Sequence, residues 1–187
     1  MNALLSLFNQ YAPLLPATAA GLNKRIQYLQ KRKGDFFLRA GQEHSGLFVM
    51  EKGLVRAFFR KGDKEINTWF GGEHELIGSI LPLYSRQPSF EYIQFLEDAV
   101  LYFITTEDLN EAYTHYPELN LSGRKIAEEL CRILEERILS LHTASSEERY
   151  KTIVQKHPDL LQRVSLGHIA SYLGITQETL SRIRSRF

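Results

Sequence analysis

The chain has 187 residues, of which 43% are apolar and 24% are charged, a composition typical of a globular protein. Its net charge is only +1, so any affinity for nucleic acid has to come from a local basic patch and not from the whole surface. A single cysteine, Cys131, excludes a disulfide within the chain; because the sequence also has no apolar stretch of membrane-spanning length and no secretory signal pattern, it predicts a cytoplasmic protein without a membrane partner.

Helices and then a β roll are predicted for the N-terminal part. The first twenty or so residues have apolar side chains at helical spacing, and residues 22–29 are predicted to form a second short helix. Between residues 33 and 105, short apolar runs alternate with recurrent glycines, which favours short strands in an antiparallel sandwich or roll. The predicted strands lie at 36–38, 47–50, 54–59, 66–70, 92–95 and 100–104, with a hairpin turn at 61–64.

A long helix is predicted to follow the roll, from about Glu118 to Ala144. Because Ile126, Leu130 and Ile133 give it a second apolar side toward the roll, we expect it to pack on its own roll and on the same helix of a second copy. The alternative is a helix buried within one chain. Cys131 is interpreted as a buried core residue, with a redox-sensitive contact between two copies as the alternative. The side toward the second copy, called here the interface stripe, has the 4-3-4-3 spacing of a coiled coil and comprises Ala127, Cys131, Leu134, Ile138 and Leu141.

The last two dozen residues have the pattern of a helix-turn-helix, the module that places a short helix in the DNA major groove. Ser165 and Thr176 are positioned to cap two short helices, and Gly174 lies at the turn between them. The apolar positions of the two helices are spaced so that they face each other. They are Ile169, Ala170, Leu173, Leu180 and Ile183.

Polar residues of the second helix are predicted to face outward. Arginine pairs with guanine, glutamine with adenine, and glutamate accepts from the amino group of cytosine. From residue 163 onward four arginines stand against one glutamate, a local net charge of +3. We therefore predict DNA binding; a helical hairpin that only packs on another element is the alternative. The predicted base contacts are Gln177, Glu178, Ser181 and Arg182, with Ser185 also outward, and the predicted phosphate contacts are Thr179, Arg184 and Arg186.

A β roll, a long helix and a helix-turn-helix, in that order, resemble the Crp–Fnr (catabolite-activator/Fnr) family of bacterial transcription regulators. The resemblance covers nearly the whole chain and is strongest from Glu148 onward. The motifs that carry it are Glu148-Arg149-Tyr150, His157-Pro158, Ile169-Ala170-Ser171-Tyr172-Leu173-Gly174 and Thr179-Leu180-Ser181-Arg182-Ile183-Arg184.

This resemblance implies an α+β fold with a jelly roll of the cyclic-nucleotide-binding type. It also implies a homodimer that binds an inverted-repeat operator in double-stranded DNA under control of a pocket in the roll, with RNA polymerase as a possible further partner. By position, Gln177, Glu178 and Arg182 match the base-contacting residues of the family. The implied parts are an effector-type roll with flanking helices (1–117), a dimerisation helix (118–144) and a helix-turn-helix domain (145–187) that is expected to lack the usual β-hairpin wing.

The phosphate-binding cassette departs from the family pattern. Members that bind a cyclic nucleotide carry Ile-Gly-Glu-Leu followed by Arg-x-Ala, in which the Glu binds the ribose and the Arg the phosphate. Here Ser79 and Ser89 stand at these two positions, and Glu91 adds a negative charge. Arg86 would substitute only in a reshaped loop. We therefore predict that cyclic AMP does not bind in the usual way, and an unknown small-molecule effector stays open. The possible pocket residues are Ile77, Gly78, Ser79, Arg86, Ser89 and Glu91.

Other cofactors and activities are not predicted. One cysteine excludes, within a chain, an iron–sulfur cluster held by four cysteines. His44 and His74 are interpreted as surface-loop residues and not as haem or metal ligands. The sequence contains no catalytic motif, so an enzyme is not predicted. The alternative function is a ligand-binding or dimerisation module with vestigial DNA binding.

Overall fold

The computed structural model describes residues 2–43 and 46–186. Within these residues, eight strands form two four-stranded sheets, one in the order β1-β8-β3-β6 and the other in the order β2-β7-β4-β5. The pairings of β8 with β1 and β3, and of β7 with β2, are antiparallel, so the predicted β roll is confirmed. The strands are β1 (Gln27–Lys31), β2 (Phe36–Leu38), β3 (Gly46–Lys52), β4 (Val55–Lys61), β5 (Lys64–Gly71), β6 (Leu76–Ile77), β7 (Tyr92–Phe95) and β8 (Ala99–Thr105).

Helices precede and follow the roll. The longest has 25 residues and agrees with the predicted long helix. In the part of the chain that the structure describes, no helix combines the length and the apolar character needed to cross a bilayer. The helices are α1 (Ala3–Tyr11), α2 (Pro16–Arg25), α3 (Thr106–His115), α4 (Leu119–Thr143), α5 (Ser146–Lys156), α6 (Leu160–Arg163), α7 (Leu166–Leu173) and α8 (Gln177–Arg184).

Two predictions for the N-terminal part are wrong. The first twenty residues form two helices and not one, because Pro13 cannot continue α1 and Pro16 instead occupies the first turn of α2. The helix predicted at 22–29 ends at Arg25, and the next residues form β1. The register Gln27↔Phe103 to Lys31↔Ala99 explains the difference, because pairing with a distant strand outweighs a weak local preference for helix.

The main core lies where α1, α3 and the first turns of α4 pack on the roll. Ile126 of α4 is buried in this cluster, as predicted, whereas Ile133 is 48% exposed. The second apolar side of α4 therefore ends earlier than the sequence indicates. Large side chains that are fully buried in this cluster include Phe8, Leu4, Leu22, Ile104 and Leu119.

The chain divides into two compact units that cut across α4. One unit contains the N-terminal part up to Ala57 together with Phe70–Glu129, and the other contains Phe58–Trp69 together with the C-terminal part from Leu130. Most of the β4–β5 hairpin and the C-terminal half of α4 therefore belong to the same unit as the helix-turn-helix. The boundaries 117/118 and 144/145 stay predictions about how the chain is organised.

Gly53 provides a test of the tight connection between β3 and β4. Its φ is +118°, and a Cβ built on it would lie 2.7 Å from the Ala99 Cβ. We expect Gly53→Ala to lower the free energy of unfolding by about 1–3 kcal/mol, because it introduces both backbone strain and a clash. Urea unfolding followed by circular dichroism measures this. Gly72→Ala is the control, since its Cβ would meet nothing closer than 3.9 Å; equal effects of the two substitutions would contradict the prediction.

Candidate nucleic-acid interface and effector region

The C-terminal helices form a capped helix-turn-helix. The Ser165 side chain accepts a hydrogen bond from the His168 N–H at the start of α7, and the Thr176 side chain accepts one from the Thr179 N–H at the start of α8. Gly174 ends α7 with a φ of 70°, in the left-handed region. These local predictions are confirmed. The predicted facing residues are all buried, namely Ile169, Ala170, Leu173, Leu180 and Ile183.

The polar residues of α8 are displayed on its outer side. The predicted phosphate contacts Arg184 and Arg186 are exposed, whereas Thr179 is half-buried. The Thr179 hydroxyl accepts a hydrogen bond from Arg182 Nη2 at 3.3 Å, so it also supports a predicted base contact. The helix thus presents one continuous polar surface. The predicted base contacts on it are all exposed, namely Gln177, Glu178, Ser181 and Arg182.

The carboxylate of Glu178 is favoured in its ionised form. A side-chain hydrogen bond with Thr176, a backbone hydrogen bond at the start of α8 and the nearby charge of Arg182 lower the pKa of Glu178 below its ordinary value. An ionised carboxylate can only accept hydrogen bonds. Glu178 therefore has the chemistry to bind an amino group such as that of cytosine.

Two arginines bind the end of α7. Arg137 of α4 donates a hydrogen bond from Nη2 to the Tyr172 carbonyl oxygen, and its Cζ lies 3.8 Å from the centroid of the Tyr172 ring. Arg149 of α5 donates from Nη2 to the Leu173 carbonyl oxygen at 2.9 Å and from Nη1 to the Ala144 carbonyl oxygen. The last carbonyls of a helix have no partner within it, and positive charge stabilises this end. Helix α7 is thereby fixed to both α4 and α5.

Ser171, on the outer side of α7, contacts the β4–β5 hairpin. Its hydroxyl donates to the Glu65 carbonyl oxygen at 2.9 Å and accepts from the Asn67 N–H at 3.0 Å. Sequence reasoning missed these contacts and those of Arg137. A serine or an arginine on a helix surface has no local signal that indicates a distant backbone partner, although Arg149 does lie in a motif that carries the family resemblance.

The two cassette positions that depart from the family pattern come together in the roll. The buried hydroxyls of Ser79 and Ser89 lie 3.2 Å apart. Ser89 also accepts a hydrogen bond from the Glu91 N–H at 3.0 Å and donates to the Glu91 carbonyl oxygen at 3.2 Å. Ile77 is buried and Gly78 half-buried, whereas Arg86 is exposed with a φ of +49°. Hydrogen bonds therefore link Ser79, Ser89 and Glu91 of the predicted pocket, whereas Arg86 lies at the surface.

The interface stripe on α4 is largely uncovered within one chain. Leu134, Ile138 and Leu141 are between 41% and 57% exposed. Cys131 is exposed and Ala127 half-buried. The interpretation of Cys131 as a buried core residue is wrong for the single chain, because no other element of the chain covers its side of α4 among the described residues. The uncovered stripe is apolar over several turns.

The histidines that the structure describes are not part of a recognisable metal site. His74 is exposed, with a φ of +66°, and His44 lies outside the described residues. Within residues 2–43 and 46–186, no cluster of three or more His, Cys, Asp or Glu side chains has the proximity needed to bind a metal ion.

Comparison with known sequences identifies the roll and the relatives of the chain. Residues 29–116 match the family model of the cyclic nucleotide-binding domain. The fumarate and nitrate reduction regulatory protein of Escherichia coli (strain K12) is 27% identical over 169 residues, which cover 83% of this chain and 66% of that protein. The chain spans just under two thirds of the length of the curated relatives it matches.

Solved structures share the fold. A variant of CooA from Carboxydothermus hydrogenoformans has 20% identity and a TM-score of 0.70, over 89% of this chain and 78% of that chain. The catabolite activator protein of Thermus thermophilus has 22% identity and a TM-score of 0.59, over 94% and 84% of the two chains. The predicted fold class, a jelly roll followed by a long helix and C-terminal helices, is confirmed. The curated relatives are regulatory proteins and not enzymes, in agreement with the sequence prediction.

Proposed function

We propose that this chain is a member of the Crp–Fnr family of transcription regulators, to whose members it is similar, and that it is a dimeric, sequence-specific DNA-binding regulator whose roll does not bind a cyclic nucleotide in the usual way. The observation that carries the proposal is the capped α7–α8 pair, whose apolar sides are buried while the polar side of α8 is exposed. What distinguishes this side from an ordinary solvated helix surface is that it displays Gln177, Glu178 and Arg182 together, the residue types that bind base edges.

Specific recognition of DNA is supported by the chemistry of α8. Arg182 has a planar group able to bind guanine at two points, and Gln177 has an amide able to bind adenine in the same way. The ionised Glu178 supplies an acceptor beside them. Arg184 and Arg186, both exposed, are suited to phosphates, which position a protein on DNA without distinguishing sequences.

Dimerisation is supported by the interface stripe. A single chain leaves the large apolar side chains Leu134, Ile138 and Leu141 in water along one side of α4. A second copy of α4 related by a two-fold axis would cover them with the same residues, as in a parallel coiled coil. A two-fold axis also places two recognition helices on one side of the assembly, which requires an inverted-repeat operator.

An effector other than a cyclic nucleotide is supported by the hydroxyl pair in the roll. Ser79 and Ser89 hydrogen bond to each other and carry no charge, so neither one supplies the positive group that a cyclic phosphate needs. Glu91 is close in sequence and would repel a phosphate. A ligand of the roll would therefore have to be recognised without this salt bridge.

The DNA proposal predicts different effects for two arginines. Arg182→Ala should weaken binding to the preferred operator by about 1–3 kcal/mol and relax the preference at one base pair in each half-site. Arg186→Ala should weaken all sequences about equally and reduce the salt dependence of binding, because a phosphate contact carries no sequence information. Selection of bound DNA followed by titration at several salt concentrations measures both. Indistinguishable effects of the two substitutions, or selection without an inverted repeat, would instead support a module with vestigial DNA binding.

The dimer proposal predicts that a charge on the stripe separates the subunits. Leu134→Glu or Ile138→Glu should give monomers, because the new carboxylate would be buried without a partner at the axis. Leu139→Glu is a matched control, since Leu139 is 55% exposed on the same helix but off the stripe. Multi-angle light scattering distinguishes the species. A wild-type monomer at micromolar concentration, or dissociation by all three substitutions, would refute this arrangement.

The effector proposal predicts that cyclic AMP gives no binding heat at micromolar concentration in titration calorimetry. The reason is that serines replace both the ribose-binding carboxylate and the phosphate-binding guanidinium. The same titration with cyclic GMP tests whether the other common cyclic nucleotide behaves alike. Micromolar affinity for either nucleotide would show that the roll uses a different set of phosphate ligands.

A further inference from the structure

We propose that Arg137 is a positioning residue that fixes the recognition helix relative to the dimer axis and so determines the spacing of the two half-sites that the dimer accepts. This inference rests on the proposed function, since it presupposes a dimer that binds paired half-sites. It adds a determinant of specificity that does not itself contact DNA.

The position of Arg137 in the chain links two parts of the molecule. It lies on α4 between Leu134 and Ile138, two residues of the interface stripe. Its guanidinium reaches α7, where it binds the Tyr172 carbonyl oxygen and covers the Tyr172 ring. One side chain therefore connects the helix that would form the dimer axis to the helix that supports α8.

The contact is geometrically demanding. A guanidinium is planar, so it can stack on an aromatic ring while one of its edges donates a hydrogen bond; the compact ammonium of lysine cannot do both. Burial, together with the charge of the neighbouring Arg149, lowers the pKa of Arg137, although an arginine stays protonated. Two positive groups are thus held close together against their mutual repulsion at the end of α7.

Arg149 completes a two-point attachment of α7. It binds the next carbonyl, that of Leu173, and also the Ala144 carbonyl just after α4. Its buried Nε–H finds no acceptor among the residues the structure describes, so the side chain is kept in place despite an unsatisfied donor. Helix α7 is consequently attached to α4 directly through Arg137 and to the segment after α4 through Arg149.

Both attachments lie within one compact unit, which contains α4 from Leu130 onward together with the helix-turn-helix. Gly174 joins α7 to α8 in a single tight turn, and the buried faces of the two helices pack together. A change at Arg137 would therefore displace α8 as a whole relative to the stripe. In a symmetric dimer the displacement occurs in both subunits. Because one base pair adds only about 3.4 Å to the distance between half-sites, a small displacement of α8 would change the spacing that the dimer prefers.

The test uses DNA pools in which two selected half-sites are separated by variable spacers. Wild-type protein should prefer one spacing, and Arg137→Ala should reduce that preference about tenfold or more, the size expected for loss of a charged hydrogen bond. The dimer and the base preference within each half-site should not change. Arg137→Lys should resemble Arg137→Ala, and Tyr172→Leu, which keeps the carbonyl but removes the ring, should give an intermediate loss.

The control is Arg132→Ala, an exposed α4 arginine that pairs with Glu136 on the same helix; it should keep the wild-type spacing profile. Arg137 variants that keep the wild-type profile, dissociate to monomers or change the base preference would overturn the inference while leaving the proposed function intact. Wild-type protein that selects no paired half-sites would instead contradict the proposed function, and the inference with it. Tyr172→Leu and Arg137→Lys decide the question if Arg137→Ala does not fold.

Discussion

The 25-residue helix α4 makes different contacts in its first and second halves, and both compact units depend on them. Its first turns place Leu119 and Ile126 in the core of the roll. Farther along α4, the apolar interface stripe is uncovered. In the same part of the helix, the guanidinium of Arg137 binds α7 of the helix-turn-helix. The same continuous helix therefore contributes to both compact units, with its first half in one and its second half in the other.

Local chemistry explains why the C-terminal domain was predictable from the sequence. Ser165 and Thr176 each accept a hydrogen bond from the backbone N–H three residues farther along the chain. Gly174 is required only because its own backbone is in the left-handed region. In contrast, residues 27–31 form a strand because of β8, some seventy positions away. A surface arginine such as Arg137 gives no indication of its partner either. The family resemblance helped where spacing alone did not, since it identified Ser79 and Ser89 as equivalent to paired cassette residues that the fold indeed brings together.

The cassette and helix α8 differ in the charge of their side chains. In the roll, the neutral hydroxyls of Ser79 and Ser89 stand at the two cassette positions and share a hydrogen bond, while Ser89 also binds the Glu91 backbone. On α8, by contrast, hydrogen bonds are used to keep Glu178 ionised beside an arginine. Side-chain charge is thus absent at the two cassette serines and present on the exposed side of α8, which is the contrast that the proposed function requires.

Strand β5 lies at the end of its sheet, and such edges can recruit a strand from another molecule. The Ser171 hydroxyl hydrogen bonds to the Glu65 carbonyl oxygen and to the Asn67 N–H. It thus binds two backbone groups that a neighbouring strand would otherwise bind. If α7 were displaced or removed, these two backbone groups would lie open at the edge of the sheet. We therefore expect loss of the Ser171 contact to make the chain more prone to edge-to-edge association.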